Sequence, residues 1–200
     1  MSDITDRLYE KAGKMRIPLT GAFELLPLCN LRCKMCYVRK DNDEVKKQGG
    51  ILPGQFWVDC AKAATDKGLL YPLLTGGEPL LHPDFFDIYS KMLNMGLLIS
   101  INTNGTLIDR KTSEYFEKHK PRRINLTLYG ASEDSYYRCC GDGAAFEKVI
   151  RGIEFLKEKR VPVKFNASIT EDNIDELEEI MNLSEKYDSP IQVATYMSRL

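Results

Sequence analysis

The sequence has little of several residue types, and each shortage narrows the classes of protein to which it can belong. Its 200 residues include two histidines, one tryptophan and no run of eighteen apolar residues. A membrane-spanning helix needs such a run, so we expect no membrane partner. The 28 lysines and arginines nearly balance the 29 aspartates and glutamates. The resulting net charge of -1 argues against a surface for nucleic acid.

The beginning of the chain, MSDITDRLYEKAGK, is charged and has none of the apolar core of a secretion signal. A cytoplasmic location is therefore expected, and free thiols are consistent with that reducing compartment. The length fits one domain of moderate size. We assign residues 1–19 to a lead-in segment and residues 20–200 to the core domain.

Three of the six cysteines, Cys29, Cys33 and Cys36, fall within the segment CNLRCKMCY. Cysteines this close together can reach only one small centre, and thiolates are the ligands that iron–sulfur clusters prefer. Three thiolates would hold three irons of a [4Fe-4S] cluster and leave the fourth iron open. An open metal position is typical of a catalytic site, so these cysteines are predicted to be both metal ligands and catalytic residues.

Other interpretations of the cysteines stay open at this point. A structural zinc site usually has two CxxC pairs, whereas this chain has one, and only His82 and His119 could complete it. A zinc-stabilised binding module is one alternative. An iron–sulfur protein that only transfers or senses electrons is another. Inert thiols are a third.

A second motif, LYPLLTGGEP, covers residues 70–79 and ends an apolar strand with two glycines, a glutamate and a proline. Glycines at the end of a strand allow the backbone to approach a ligand closely. The carboxylate of Glu78 is suited to accept hydrogen bonds from a cationic amine. Gly76, Gly77, Glu78 and Pro79 are therefore candidate binding residues.

Together, CxxxCxxC and GGEP resemble the radical S-adenosylmethionine (radical SAM) superfamily. The resemblance implies a [4Fe-4S] cluster whose open iron binds the amino acid end of S-adenosylmethionine, while the GGE segment contacts its amino group. It also places Met35 near the adenine, with Tyr37 beside it. The segment LTLYG resembles the family's fourth-strand motif, with Thr127 in the serine position and Tyr129 in place of an aspartate.

Further cofactor-binding candidates come from the strand ends, where sites in such barrels lie. These residues are Asn104 after the third strand, Asn125 in the fourth, and Asn166 or Ser168 in the fifth. Arg138 is a candidate partner for the carboxylate of S-adenosylmethionine, because guanidinium groups suit carboxylates.

Short apolar segments alternate with longer amphipathic ones, which is typical of parallel βα units. The predicted strands are residues 20–28, 69–75, 97–103, 123–129, 161–169 and 190–196. Five helices are predicted between them: one that begins near Pro53 and includes Trp57, Cys60, Ala61 and Ala64 at helical spacing, and four at residues 83–96, 109–119, 144–159 and 173–186. The predicted fold is α/β, a partial six-stranded parallel (β/α)6 barrel that lacks its last helix, as the resemblance also implies.

The strands alternate apolar and polar residues instead of being apolar throughout. In the fourth strand, for example, Ile124, Leu126 and Leu128 alternate with Asn125 and Thr127. One face of the sheet must pack on helices, so the barrel lumen is predicted to be polar and to form a pocket. An antiparallel sheet with one wet face is the alternative, which the long helical connections disfavour.

By resemblance, the expected reaction is reductive cleavage of S-adenosylmethionine to a 5′-deoxyadenosyl radical, which abstracts hydrogen from a substrate. The expected substrate is a peptide or protein, because the motifs resemble the SPASM-type members of the family that modify them. A low-potential donor such as flavodoxin or ferredoxin is expected to supply the electron. We also expect the chain to be the catalytic core of a longer protein.

Overall fold

Six parallel strands form one sheet, in which their spatial order is their order along the chain. The computed structural model describes residues 2–195, with side chains from residue 4 onward. The strands are Thr20–Glu24 (β1), Tyr71–Thr75 (β2), Ser100–Thr103 (β3), Arg123–Leu128 (β4), Val163–Ser168 (β5) and Ile191–Ala194 (β6). This arrangement confirms the predicted partial barrel. The expected end of the sixth strand, Tyr196, lies outside the described residues.

Helices connect the strands and cover the outer face of the sheet. They are Ser2–Met15 (α1), Asn42–Lys47 (α2), Gly54–Thr65 (α3), Phe85–Asn94 (α4), Arg110–Lys118 (α5), Glu133–Cys140 (α6), Ala145–Glu158 (α7) and Leu177–Lys186 (α8). No helix within residues 2–195 is both long enough and apolar enough to cross a membrane.

Helices α1, α2 and α6 were not predicted, although α2 and α6 carry recognisable end signals. At α2, the Asp41 carboxylate accepts from the amide of Glu44 (2.8 Å), and the Glu44 carboxylate accepts from the amide of Asp41 (2.8 Å). This reciprocal capping box is readable from the sequence pattern D-x-x-E. Helix α6 begins after Ser132, which caps it, and ends at Gly141 with φ of 74°, a left-handed conformation that glycine tolerates.

The alternation along the strands separates an apolar outer face from a polar lumen. Ile124, Leu126 and Leu128 of β4 are fully buried against the helices. On the other face, Asn125 is aligned with Asn102 of β3, and Thr127 is aligned with Asn166 of β5. Burial of each of these aliphatic side chains stabilises the fold by about 1.5–3 kcal/mol. Because the outer face of the sheet supplies this packing, the polar lumen face is available to bind ligands.

Strand β1 ends at Glu24, four residues earlier than predicted. Pro27 lacks an amide proton and cannot continue a ladder of hydrogen bonds. The segment 25–28 still lies beside the loop after β2, because Leu26 accepts a hydrogen bond from the amide of Gly77 (2.7 Å) and Leu28 accepts one from the amide of Glu78 (2.9 Å). These bonds hold the GGEP loop against the segment that leads into the cysteines.

Candidate functional site

A cavity of about 210 Å³, which we call the upper cavity, opens at the carboxyl ends of the strands. Eight of the predicted site residues line it: Cys33, Met35, Cys36, Tyr37, Gly76, Gly77, Asn104 and Thr127. The two sequence motifs are thus brought together, although about forty residues separate them. Cys29 is half-buried and lies next to this group, in contact with Asn104.

Amide protons point at two of the three cysteine sulfur atoms. The Sγ of Cys29 accepts from the backbone amide of Leu31 (3.4 Å) and from Nδ2 of Asn104 (3.6 Å). The Sγ of Cys36 accepts from the amide of Arg39 (3.3 Å). These hydrogen bonds orient the two sulfur atoms within the cysteine loop.

The cysteine loop is fastened to the end of helix α6. The amide of Arg32 donates to the carbonyl of Cys140 (3.0 Å), and the amide of Lys34 donates to the carbonyl of Cys139 (3.0 Å). The Lys34 ammonium also pairs with Asp172 in the loop after β5 (2.7 Å). Main-chain hydrogen bonds to a helix end fix the path of the loop more firmly than an exposed ion pair does.

The environments of the first two cysteines differ. Burial is the main reason that the pKa of the Cys29 thiol is raised above its usual value. The pKa of the Cys33 thiol is lowered, chiefly by a hydrogen bond with the Cys140 thiol and further by one with the Tyr129 hydroxyl. Cys33 is therefore the readier of the two to lose its proton.

All three cysteines are free, so they satisfy the chemistry of a three-thiolate donor set. Within residues 4–195, no three Cys, His, Asp or Glu side chains already form a closed metal-ligand group. The donor types, their loop and the glycine-lined wall beside them fit a [4Fe-4S] cluster held by Cys29, Cys33 and Cys36.

The two glycines are packed against backbone atoms of segment 25–28. Gly76 has φ of 134°, and a Cβ on it would lie 2.4 Å from the Leu26 carbonyl oxygen. A Cβ on Gly77 would lie 2.2 Å from the Leu28 carbonyl oxygen. Both positions therefore require glycine for the close approach of two backbone segments, in addition to any space that a ligand needs.

Glu78 is fully buried and does not line the upper cavity. Its carboxylate accepts hydrogen bonds from the hydroxyl of Thr103 (2.9 Å) and from the amides of Leu80 (3.1 Å) and Asn104 (2.8 Å). It thereby joins the GGEP loop to the end of β3. The contact with the amino group of S-adenosylmethionine stays a prediction, and the geometry gives Glu78 a structural role besides it.

Burial raises the pKa of Glu78 to about 7, although the three donors counteract this effect. The folded protein consequently binds this proton more tightly than the unfolded chain does. The contribution of Glu78 to stability is thus complete below about pH 4.5 and is lost as the pH rises to about 7.

We expect the free energy of unfolding to fall between pH 4.5 and about 7 by at most about 1.4 kcal/mol per pH unit from this group. Denaturant unfolding of the wild type and of Glu78→Gln should show this fall in the wild type and a flatter profile in the variant. Glu114→Gln, at an exposed site on α5, is the matched control and should follow the wild type. Parallel profiles for wild type and Glu78→Gln would contradict the prediction.

Besides Cys29 and Glu78, four predicted site residues do not line the upper cavity. Pro79 is buried at the start of a short 3-10 turn. Asn166 is half-buried in β5. Asn125 lines a different cavity at the base of the lumen. The Arg138 guanidinium pairs with Asp134 and Asp175, and its Nε donates to the carbonyl of Asp172 (2.8 Å).

The ion pairs of Arg138 predict that Arg138→Gln will change S-adenosylmethionine affinity by less than about twofold, because exposed ion pairs on a scaffold contribute little to a separate site. Calorimetric titration of the reconstituted protein measures this affinity. Arg151→Gln, which removes an exposed arginine paired with Glu147 on α7, is the control. A tenfold loss confined to Arg138→Gln would instead support the predicted contact with the ligand carboxylate.

Comparison with known proteins gives a match to the family described as the radical SAM superfamily over residues 23–184. This match covers most of the chain and includes every strand except β6 and the beginning of β1. The chain belongs to the radical SAM superfamily. The family prediction is confirmed, and with it the two predicted cofactors, a [4Fe-4S] cluster and S-adenosylmethionine.

Two curated relatives of this radical SAM domain are enzymes. The chain is 29% identical over 168 residues to an AdoMet-dependent heme synthase of Oleidesulfovibrio alaskensis, covering 82% of this chain and 42% of that enzyme. It is 30% identical over 191 residues to a GTP 3′,8-cyclase of Clostridium perfringens, covering 94% and 56% respectively. The chain thus spans about half the length of the curated relatives it matches.

The fold is similar to that of SuiB of Streptococcus suis solved with its precursor peptide SuiA. The TM-score is 0.77 at 22% identity, over 94% of this chain and 42% of SuiB. SuiB has also been solved bound to S-adenosylmethionine. At this identity the likeness shows the shared fold, and SuiB and SuiA support a peptide substrate only as a proposal.

Four lining residues of the upper cavity were not among the predicted site residues: Val38, Thr75, Asn102 and Thr103. Tyr129 and Ser168, which were candidates at the strand ends, line the cavity as well. The alternation of the third strand contained the signal for Asn102, which occupies a lumen-facing position. Thr75 and Thr103 are the last residues of β2 and β3, so strand ends alone could have identified them.

Proposed function

We propose that the chain is the catalytic core of an enzyme that reductively cleaves S-adenosylmethionine in the upper cavity. The observation that carries this proposal is that Cys33 and Cys36 line the same cavity as the backbone of Gly76 and Gly77. When bound, the cluster supplies one electron to the sulfonium, which starts radical chemistry on the substrate.

The residues of the chain supply binding and orientation for this reaction. Cys29, Cys33 and Cys36 would hold the cluster, and the glycine backbone would lie against the methionine end of S-adenosylmethionine. Met35, Tyr37, Asn104 and Thr127 line the remaining wall, where they can position the adenosyl group. A half-enclosed cavity of this kind limits the access of water to reactive species.

The test is anaerobic reconstitution with iron and sulfide, followed by reduction in the presence of S-adenosylmethionine. Formation of 5′-deoxyadenosine is expected, and Cys36→Ala should form none. If the reconstituted wild type holds a cluster but forms no 5′-deoxyadenosine, the alternative of an electron-transfer or sensor protein would be favoured. A colourless protein that retains zinc would instead favour the zinc-stabilised module.

The proposed substrate is a peptide or protein, and the proposed setting is the cytoplasm with a low-potential donor such as flavodoxin or ferredoxin. Support comes from the likeness in fold to SuiB, which was solved with a precursor peptide. Cells expressing the full-length protein or its Cys36→Ala variant can be compared by mass spectrometry of peptides and small molecules. Mass changes restricted to small molecules would contradict a peptide substrate.

A further inference from the structure

A second cavity, of about 350 Å³, lies at the opposite end of the lumen, among the first residues of β1 to β4. We call it the basal cavity. Its polar lining includes Ser100, Arg122, Arg123 and Asn125. Asn125 also donates from Nδ2 to Oδ1 of Asn102 (2.8 Å), which lines the upper cavity. This asparagine pair therefore lies between the two cavities.

Two polar atoms in the lining of the basal cavity are buried without a hydrogen-bond partner among the described residues. They are Oδ1 of Asn125, whose residue is 8% exposed, and Nε of Arg123. A buried polar atom without a partner destabilises the fold unless a ligand or water supplies the missing hydrogen bond. Oδ1 of Asn125 can accept a hydrogen bond, and the charged Nε of Arg123 can donate one. A ligand that carries both a hydrogen-bond donor and an anionic group would satisfy the two atoms together.

Positive charge gathers at the basal cavity without compensation. Arg123 is the first residue of β4 and Arg122 immediately precedes it, while Lys164 of β5 is aligned with Asn125. The pKa of Arg123 is lowered by burial and then by Arg122, and the pKa of Lys164 is lowered by burial and then by Arg123. Within residues 4–195, none of these three cations forms an ion pair with a carboxylate.

Aromatic packing fixes the position of one of these cations. The Arg122 guanidinium lies 4.6 Å from the centre of the Tyr71 ring, and Tyr71 also lines the basal cavity. The Tyr9 ring of α1 also stacks on Tyr71, with 6.1 Å between the two ring centres. A guanidinium held on an aromatic ring keeps its N–H groups free for an oxyanion.

We propose that the basal cavity binds a small molecule through an oxyanion, a phosphate or a carboxylate, held by Arg122 and Arg123. Asn125 accepts a hydrogen bond from a hydroxyl or amine group next to that oxyanion. Guanidinium groups bind both kinds of oxyanion with paired hydrogen bonds. A volume of 350 Å³ accommodates such a molecule, since a water takes about 30 Å³. The inference does not depend on the proposed peptide substrate.

Calorimetric titration of the reconstituted protein with ribose 5-phosphate and with malate tests the proposal. Both probes carry hydroxyl groups, and only the first carries a phosphate. Binding of either supports the proposal and identifies its oxyanion, and the affinity should fall with added salt. Absence of binding of both probes at millimolar concentration would overturn it.

Variants locate the binding and separate it from folding. Arg123→Gln should lower the affinity for the bound probe at least tenfold, whereas Arg151→Gln on α7 should leave that affinity unchanged. Asn125→Asp should also lower the affinity for the probe, because the new carboxylate would repel the oxyanion of the probe. Without ligand, Arg123→Gln should keep or raise the melting temperature, since it removes an uncompensated charge. Equal affinity in the wild type and Arg123→Gln would place binding elsewhere and overturn the proposal.

Discussion

Replacing Cys33 by alanine is expected to abolish the iron–sulfur centre and the cleavage of S-adenosylmethionine together. Two remaining thiolates rarely hold a four-iron cubane, so the iron content should fall from about four per chain to near zero. Formation of 5′-deoxyadenosine should fall at least about 100-fold. Iron and sulfide assays, electron paramagnetic resonance of the reduced protein and product analysis measure these changes.

Cys60 is the matched control for this experiment. It is a free, half-buried cysteine that packs against the core from α3, far along the chain from the motif. Cys60→Ala should keep both iron and product formation, whereas Cys29→Ala and Cys36→Ala should behave as Cys33→Ala does. Iron retained in Cys33→Ala and lost in Cys60→Ala would reverse the ligand assignment.

Replacing Gly77 by alanine is expected to weaken both the fold around the site and the binding of S-adenosylmethionine. The new Cβ would lie 2.2 Å from the Leu28 carbonyl oxygen and 2.6 Å from its carbonyl carbon, so two backbone segments would have to separate. Overpacking of this kind costs about 1–3 kcal/mol of unfolding free energy. Because the loop that moves lines the upper cavity, the affinity for S-adenosylmethionine should fall at least about tenfold.

Gly13→Ala provides the control for the added methyl group. Gly13 lies on the exposed helix α1, and a Cβ there would meet no atom within 4 Å. That variant should be as stable as the wild type or more stable by up to about 1 kcal/mol, since alanine favours helices. Denaturant unfolding and calorimetric titration check both variants. Wild-type stability and affinity in Gly77→Ala would show that the close approach is unimportant.

Most of the fold could be predicted because its signals are local and repeated. The strands are recognisable by their alternation of apolar and polar residues, and both site motifs are short stretches of neighbouring residues. Asp109 is the first residue of the helix predicted after the third strand, and its carboxylate caps that helix by accepting a hydrogen bond from the amide of Thr112 (2.7 Å). Two of the three missed helices, α2 and α6, have six and eight residues, too few to show a periodic pattern.

The partners of charged side chains could not be predicted, because they come from distant parts of the chain. Asp175, which pairs with Arg138, lies 37 residues away, and Thr103, which binds Glu78, lies 25 residues away. Spacing in the sequence carries no information on such contacts. The sequence therefore identified Glu78 and Arg138 as polar residues near a site and left their neighbours unknown.

The main-chain hydrogen bonds from Arg32 and Lys34 to the carbonyls of α6 have a consequence for local opening. The cysteine loop cannot lift away without exposing the last carbonyl groups of that helix. Loop and helix end should therefore open as one cooperative unit, with amide exchange at both positions slowed to a common rate. Because the hydrogen bond between Ser132 and Glu176 anchors the other end of α6, a change at either residue should also alter the rate at which the cysteine loop opens.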